Sequence, residues 1–194
     1  AKALCMRPDD EKIYVKSMYW LPQEVIDRFE NQGKRQGRDS APYSQWVQEG
    51  YMRTVPGAKV EKSVFLDWFC ELRDKENLYT LYIGYDPWHI DESLLKRFKC
   101  EFGEKSMIPV RQGVYTLSQP MKDLEADFKN RIIVYDNNPI DKWCLLNTYA
   151  KTDINGNIQP VKGLSSTQRI DGTMALIDAY KILKDKADEF QSLI

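Results

Sequence analysis

Histidine is almost missing from this sequence: of 194 residues, only His89 is one. That scarcity removes histidine-rich zinc centres and, unless His89 itself serves, a Ser–His catalytic pair. The four cysteines, Cys5, Cys70, Cys100 and Cys144, stand far apart with no Cys-x-x-Cys pair. Reduced thiols fit that spacing better than a disulfide frame or a thiolate zinc site. No apolar run approaches the ~20 residues that span a bilayer. The N-terminus carries no signal-peptide pattern, so the chain is expected to stay in the compartment where it is made. Positive charge is also not in excess. The net charge of −1 argues against a simple polyanion-binding module, while leaving room for a local basic strip around an acidic centre.

What is present is an ordinary globular composition, 42% apolar and 29% charged. The length fits one domain with a substantial core. AKALCMR and IYVKSMYWL read as strands around the turn PDDEK. Pro22 opens a helix, PQEVIDRFENQ. The polar, glycine-rich Asn31–Pro42 stretch reads as a loop; its Lys34, Arg35 and Arg38 either meet phosphate or are simply solvated. KVEKSVFLDWFCELRDK places Val60, Val64, Trp68 and Leu72 on one helical face. LYTLYIGYD reads as a strand, DESLLKRFKCEFG as a helix capped by Asp91 and ended by Gly103, and MIPVRQG as a short strand. SQPMKDLEADFKN reads as a helix with a serine cap and Met121, Leu124, Ala126 and Phe128 for packing. PIDKWCLLNTYAKTD passes from helix to strand, NGN turns, NIQPVKG returns, and RIDGTMALIDAYKILKDKADEF forms one long helix. The alternation implies an α/β fold, a mixed sheet flanked by helices on both faces.

Candidate chemistry starts at Asp86. A strand rich in leucine, tyrosine and isoleucine reads as central and covered on both faces, and open α/β sheets build sites at the carboxyl ends of such strands. Pro87 stops the strand directly after the acid, and Asp91 already supplies the next helix cap. Asp86 is therefore a metal ligand, a general base, or a strand-end acid bonded to nearby backbone. Asp171 opens the last helix beside a stripe of Ile170, Met174 and Ile177; Gly172, costly there by ~1 kcal/mol, suggests close approach of another backbone or a ligand. The helix dipole alone also favours an acid at that position. Asp178 lies two turns further on, as a distant ligand or a solvated acid. Acids from separate elements suit Mg²⁺ or Mn²⁺ phosphoryl chemistry, in which two ions clamp attacking and leaving oxygens. Such a site wants three acids or more, and Asp86 and Asp171 are the strong ones here. Lys162, Asn147 and Arg111 with Gln112 flank these segments as phosphate-binding or structural groups. Trp88 reads as core, and His89 as a proton-transfer aid or a structural residue.

PQEV, YSQWVQEGYMRTVPG, IGYDPW, VRQG, SQPMKDLEADFKN, NNPIDKWCLLN, DINGNIQPVKG and STQRIDGTMALI occur in the order found in tailed-phage large terminases. The sequence resembles the C-terminal nuclease domain of that family from about Ile13 to Tyr180, and it contains no GxxxxGK[ST] phosphate loop. The resemblance implies a single RNase H-like nuclease domain over residues 1–194. It implies metal-dependent cleavage of concatemeric double-stranded DNA during genome packaging, beside a portal and a small terminase subunit, in the bacterial host cytoplasm. It makes Asp86 the second catalytic and metal-binding acid and Asp171 the third, with Mg²⁺ or Mn²⁺ as cofactor. Lys162, Arg111, Lys34, Arg35 and Arg38 would face DNA, with His89, Asn147 and Asp178 as auxiliaries. The family's first acid, in a pattern like G-x-D-L-S, precedes the segment that begins here with AKALCMR. A central strand and one side of the metal site are therefore expected to be lacking, with weak or absent cleavage. The alternatives are a DNA-positioning or packaging-assembly module that keeps the fold without full chemistry, and another RNase H-like enzyme such as a transposase or resolvase.

Overall fold

The computed structural model describes residues 1–32, 41–163 and 167–192. The Lys34, Arg35 and Arg38 loop lies outside them. Strand β1 (Lys2–Arg7) runs antiparallel to β2 (Asp10–Ser17), as the short turn between them requires. The long strand expected to end at Leu21 breaks at Met18, and β3 (Tyr19–Pro22) leaves the first ladder to run parallel to β4 (Met52–Val55). Helices α1 (Gln23–Gln32) and α2 (Tyr43–Gln48) lie between those two strands in sequence. Helix α3 (Ser63–Glu76) then leads into β5 (Ile83–Tyr85). Helix α4 (Glu92–Phe102) follows, capped by the Asp91 carboxylate, which accepts the Leu94 N–H at 2.8 Å. β6 (Met107–Pro109) pairs in parallel with β5, Tyr85 opposite Pro109.

Helix α5 (Val114–Lys129) starts four residues before the serine expected to cap it. Ser118 is buried within the helix, where its hydroxyl accepts the Ile158 N–H at 3.0 Å, and Pro120 lies inside the helix in its second turn. Ala126, expected to pack, is exposed. β7 (Ile133–Val134) joins β2 in parallel. α6 (Pro139–Leu146) is capped by Asn138 and carries proline in its first turn, where a missing N–H costs nothing. β8 (Thr148–Thr152) and β9 (Ile158–Lys162) form the expected hairpin. The terminal helix is two: α7 (Asp171–Asp185) breaks at Lys186 and α8 (Ala187–Gln191) follows.

Alternation along β1 divides the interior. Leu4 and Met6 pack with the core of Ile13, Val15, Leu117, Leu124, Ile177 and Tyr180 under α5 and α7. Ala1 and Ala3 pack with Leu66, Trp68, Phe69, Leu72, Leu94 and Phe98 of α3 and α4. Side chains of successive strand residues point to opposite faces, so one strand serves both layers. Of the face expected for α3, Trp68 and Leu72 are buried, whereas Val60 precedes the helix. A third cluster, Ile26, Tyr43, Trp46, Met52, Ile140 and Cys144, joins α1, α2, β4 and α6.

The sheet is not continuous. Among the described residues, β1 is paired only to β2 and β5 only to β6. Between them lies an open cavity of about 550 Å³, walled by residues 1–6 of β1, residues 77–86 around β5, and α7. This explains why the strand expected from Leu78 shrinks to Ile83–Tyr85: residues 78–82 have no ladder partner, and β5 borders the gap instead of sitting at the sheet's centre. β5 is nonetheless pressed closely against α7 at Gly84. A methyl there would meet Ile182 Cγ1 at 2.9 Å, with Val110 Cγ2 and the Asp178 carbonyl oxygen both at 3.3 Å. Gly84→Ala is expected to destabilise the chain by about 1–3 kcal/mol through overpacking, read as a lower urea midpoint at unchanged m-value.

Candidate active site

Asp86 is the first residue past β5, and its side chain organises the turn that follows. Asp86 Oδ1 accepts the Trp88 N–H at 2.9 Å, Oδ2 lies 2.6 Å from His89 Nδ1, and the Asp86 carbonyl accepts the His89 N–H at 3.1 Å. The Lys62 ammonium donates to the His89 carbonyl and ties the turn to the start of α3. Asp86 and His89 line the cavity between β1 and β5. His89 itself is 79% exposed, so it stands as an outer partner of the carboxylate. Trp88, expected in the core, is 83% exposed, because the turn faces outward once Pro87 has ended the strand.

Asp171 is the first residue of α7, and it lines the same cavity as Asp86 and Asp178. Asp178 is not the solvated acid its spacing suggested. Burial, with the Asp86 charge as a smaller contribution, pushes its carboxyl up to about 6. Gln112 opposes that shift: its amide N–H groups reach the two Asp178 oxygens at 3.1 and 3.0 Å. The Gln112 Oε1 atom is buried without a partner among the described residues. Parallel pairing of β5 with β6 is what brings Gln112 to Asp86's side of the fold.

The other candidates sit apart from this group. Lys162 ends β9 as an exposed hairpin residue opposite Thr148 and does not line the cavity. Asn147 is buried at the end of α6; its side-chain amide donates to the Arg169 carbonyl at 3.2 Å and its backbone carbonyl accepts the Gly163 N–H at 3.2 Å, a tie that sets the approach to α7. Arg111 is exposed just beyond β6.

A buried ion pair, missed in the sequence, stands behind Asp171. Lys2 and Asp141 pair with side chains 1% and 5% exposed. Lys2 Nζ also donates to Ser17 Oγ at 2.7 Å and Tyr19 Oη at 2.8 Å, and Ser17 Oγ donates to Asp141 Oδ2 at 2.6 Å. The Tyr19 hydroxyl donates to Asp141 Oδ1. Burial pulls the Lys2 ammonium down and Asp141 pulls it back up. Gly172 seats against this group: a methyl there would collide with the Tyr19 hydroxyl and approach Cys144 Sγ at 3.0 Å. The glycine in RIDG is thus explained by close approach of protein. The sequence clue to the pair was the acid in the first turn of a helix, PIDKWCLL, whose other residues except Lys142 are apolar.

Three carboxylates on one cavity, two of them electrostatically linked, provide oxygen donors of the kind divalent cations prefer. Among the described residues, no group of three His, Cys, Asp or Glu side chains closes into a metal site. The donor set therefore fits a divalent ion in kind but is short in number.

Acids delivered by a strand end and a helix, with helices on both faces of a mixed sheet, place this domain in the RNase H-like class. The structure superposes on the crystal structure of the HK97 bacteriophage large terminase with a TM-score of 0.72, at 24% identity over 90% of this chain and 34% of that one. The family model for the terminase large subunit, endonuclease domain, matches residues 2–186, and the chain belongs to that family. Curated relatives include the terminase large subunit of Enterobacteria phage HK97, 28% identical over 87% of this chain and 31% of its own length. Protein YmfN of Escherichia coli K12 is 29% identical over 90% of this chain and 37% of its own. The chain thus spans about a third of the relatives it matches. Among the described residues, no helix is long and apolar enough to cross a membrane.

Two outcomes follow from the buried groups. Asp141→Ala leaves the Lys2 ammonium buried without its counter-charge and is expected to cost about 3–5 kcal/mol, measured by urea unfolding; replacing Lys2 and Asp141 together by apolar residues should cost less. For Asp178, whose folded pKa is raised from 3.8 to about 6, the fold favours the protonated acid. Its stabilising contribution is full below pH 3.8 and is lost as pH rises through 6. Asp178→Asn should then be the more stable protein at pH 7, by on the order of 2 kcal/mol, and should converge on the wild type near pH 4.

Proposed function

We propose that this domain is a divalent-metal-dependent endodeoxyribonuclease that cuts concatemeric DNA during genome packaging. The observation that carries the reading is the placement of Asp86, Asp171 and Asp178 on the walls of one cavity. Family membership supports the nuclease assignment. Asp86 and Asp171 are the catalytic and metal-binding residues in this reading, and Asp178 is an auxiliary acid. Mg²⁺ or Mn²⁺, when bound, supplies a polarised water and charge stabilisation at the phosphoryl oxygens.

The chain's own residues account for the rest. β5 fixes Asp86 at a rigid strand end, and the Trp88 N–H and His89 ring hold its two oxygens. Gln112 holds Asp178 with both carboxylate oxygens engaged. Arg111 and, on the opposite hairpin, Lys162 are proposed to meet DNA phosphates; Lys34, Arg35 and Arg38 join them as a basic stretch of the sequence. Portal and small terminase subunit are the proposed assembly partners.

We further propose that the gap between β1 and β5 is the seat of a central strand carrying the first catalytic aspartate. Two facing strand edges, each paired on one side only among the described residues, support this. Such a strand would bring the third close carboxylate that the donor set lacks. With only the acids named above, the domain is expected to cut weakly or not at all, which also makes DNA positioning within the packaging assembly its second reading.

The test is nicking of supercoiled plasmid in Mn²⁺ by the chain extended upstream to include an aspartate-bearing strand. Asp86→Asn and Asp171→Asn are each expected to lower the rate by at least about 100-fold, while the melting temperature stays within a few degrees. Unchanged nicking in Asp86→Asn sinks the catalytic assignment.

A further inference from the structure

Of the five tryptophans, four are committed to packing. Trp20 and Trp68 meet edge to face at 6.1 Å, and Trp46 and Trp143 meet at 5.4 Å. Trp88 alone is turned to solvent, 83% exposed. It is not on a slack loop. Its own N–H is held by Asp86 Oδ1, the next residue's ring is held by Asp86 Oδ2, and the Lys62 ammonium anchors the His89 carbonyl. A large apolar ring on a fixed turn is exposed without the entropy that usually excuses exposure.

A second exposed ring leaves the fold beside it. β5 and β6 are parallel with Tyr85 opposite Pro109, so the segments beyond both strands emerge together at one sheet edge. Beyond β5 come Asp86, Pro87 and Trp88; beyond β6 come Arg111, Gln112 and then Tyr115 on the first turn of α5. Tyr115 is 88% exposed, and Arg111 is exposed between β6 and that turn. Two exposed rings and a guanidinium thus follow the carboxyl ends of the paired strands that carry Asp86 and lead to Gln112, and Trp88 stays outside the cavity that its neighbours Asp86 and His89 line.

We infer that Trp88 and Tyr115 form a stacking ledge for unpaired DNA bases at the cleavage site, with Arg111 on the adjoining phosphate. This deepens the nuclease reading and rests on it. Phosphate contacts give Arg111 a role but leave the two exposed rings without one. Base faces are hidden inside a duplex and become available only where the strand is unstacked, and stacking on aromatic side chains is then favourable for every base. A strand held by its bases on this ledge presents its backbone to the neighbouring acids. The ledge therefore favours DNA that is locally opened over uniform duplex.

The test is equilibrium binding of fluorescein-labelled DNA, single-stranded and duplex versions of one sequence, to the chain in EDTA at fixed low salt. Trp88→Ala is expected to weaken single-strand binding by about tenfold, as Tyr115→Ala should, and duplex binding by less than about threefold. Trp88→Phe keeps a ring and should retain most single-strand affinity. Arg111→Ala should weaken both forms alike and flatten the salt dependence. Single-strand affinity that survives in both alanine variants overturns the ledge and leaves the nuclease reading standing, as does an equal loss on both DNA forms. A wild-type chain that binds neither form overturns both. Because both rings are exposed, unchanged melting temperatures are expected in all four variants and separate lost contact from lost fold.

Discussion

The seating of α7 against two separate strand ladders is the constraint on which this domain turns. α7 supplies Asp171 and Asp178, while β5 delivers Asp86, and close seating of α7 on its neighbours brings them to one cavity. Glycine makes the approach possible at both ends. Gly172 lies against Tyr19 and Cys144, and Gly84 lies under Ile182 and the Asp178 backbone. Neither glycine is used for a turn or a positive φ; each is a place where a Cβ has no room. The acids are consequently held by packing contacts some distance from the carboxylates themselves, and repacking far from the cavity will be felt in it.

The same seating explains the contrast between the acids. Asp178 lies deep along α7 and loses water to the helix's own packing, so its charge is opposed and the amide of Gln112 compensates in part. Asp171, on the first turn, remains exposed. One helix thus carries two carboxylates in different dielectric surroundings, seven residues apart. At the helix start the polarity problem is solved differently. Lys2, Ser17, Tyr19 and Asp141 come from β1, β2, β3 and α6, and each satisfies another in the interior. A buried pair of this kind adds little net stability over an apolar replacement, yet its loss in half is costly. It fixes how four elements meet, and α7 starts on top of it.

Much of this could be read in the sequence. The element order, the hairpin at NGN, the cap at Asp91 and the placement of Asp86 beyond a strand and Asp171 on a helix start all follow from local pattern. What escaped was set by distant partners. Ser118 looked like a cap because it opens the helical pattern SQPMKDLEADFKN, but Ile158 claims its hydroxyl and the helix begins earlier. Asp178 looked solvated because helical spacing says nothing about Gln112 arriving from β6. Trp88 looked like core because large aromatics usually are, and only the outward turn after Pro87 exposes it. Lys2 and Asp141 lie far apart in the chain, and no period or motif links them. The strand read from Leu78 was too long in its hydrogen bonds and too buried in its side chains, Tyr79 and Leu81 being exposed, since a ladder and its cover need neighbours that composition cannot reveal.

That shortened ladder has a consequence for handling the domain. Backbone groups along residues 79–82, and along the free side of β1, border a gap with no strand between them among the described residues, while the Leu78 N–H is taken by the Leu72 carbonyl at 3.1 Å. Natural sheets guard such edges with charge, proline or a covering helix. Here the edges carry half-buried Leu78 and Tyr82 and exposed Tyr79 and Leu81 on one side, and Leu4 and Met6 on the other. An uncovered edge of this kind is a template on which a strand of another chain can add, so self-association at high concentration is the behaviour to guard against.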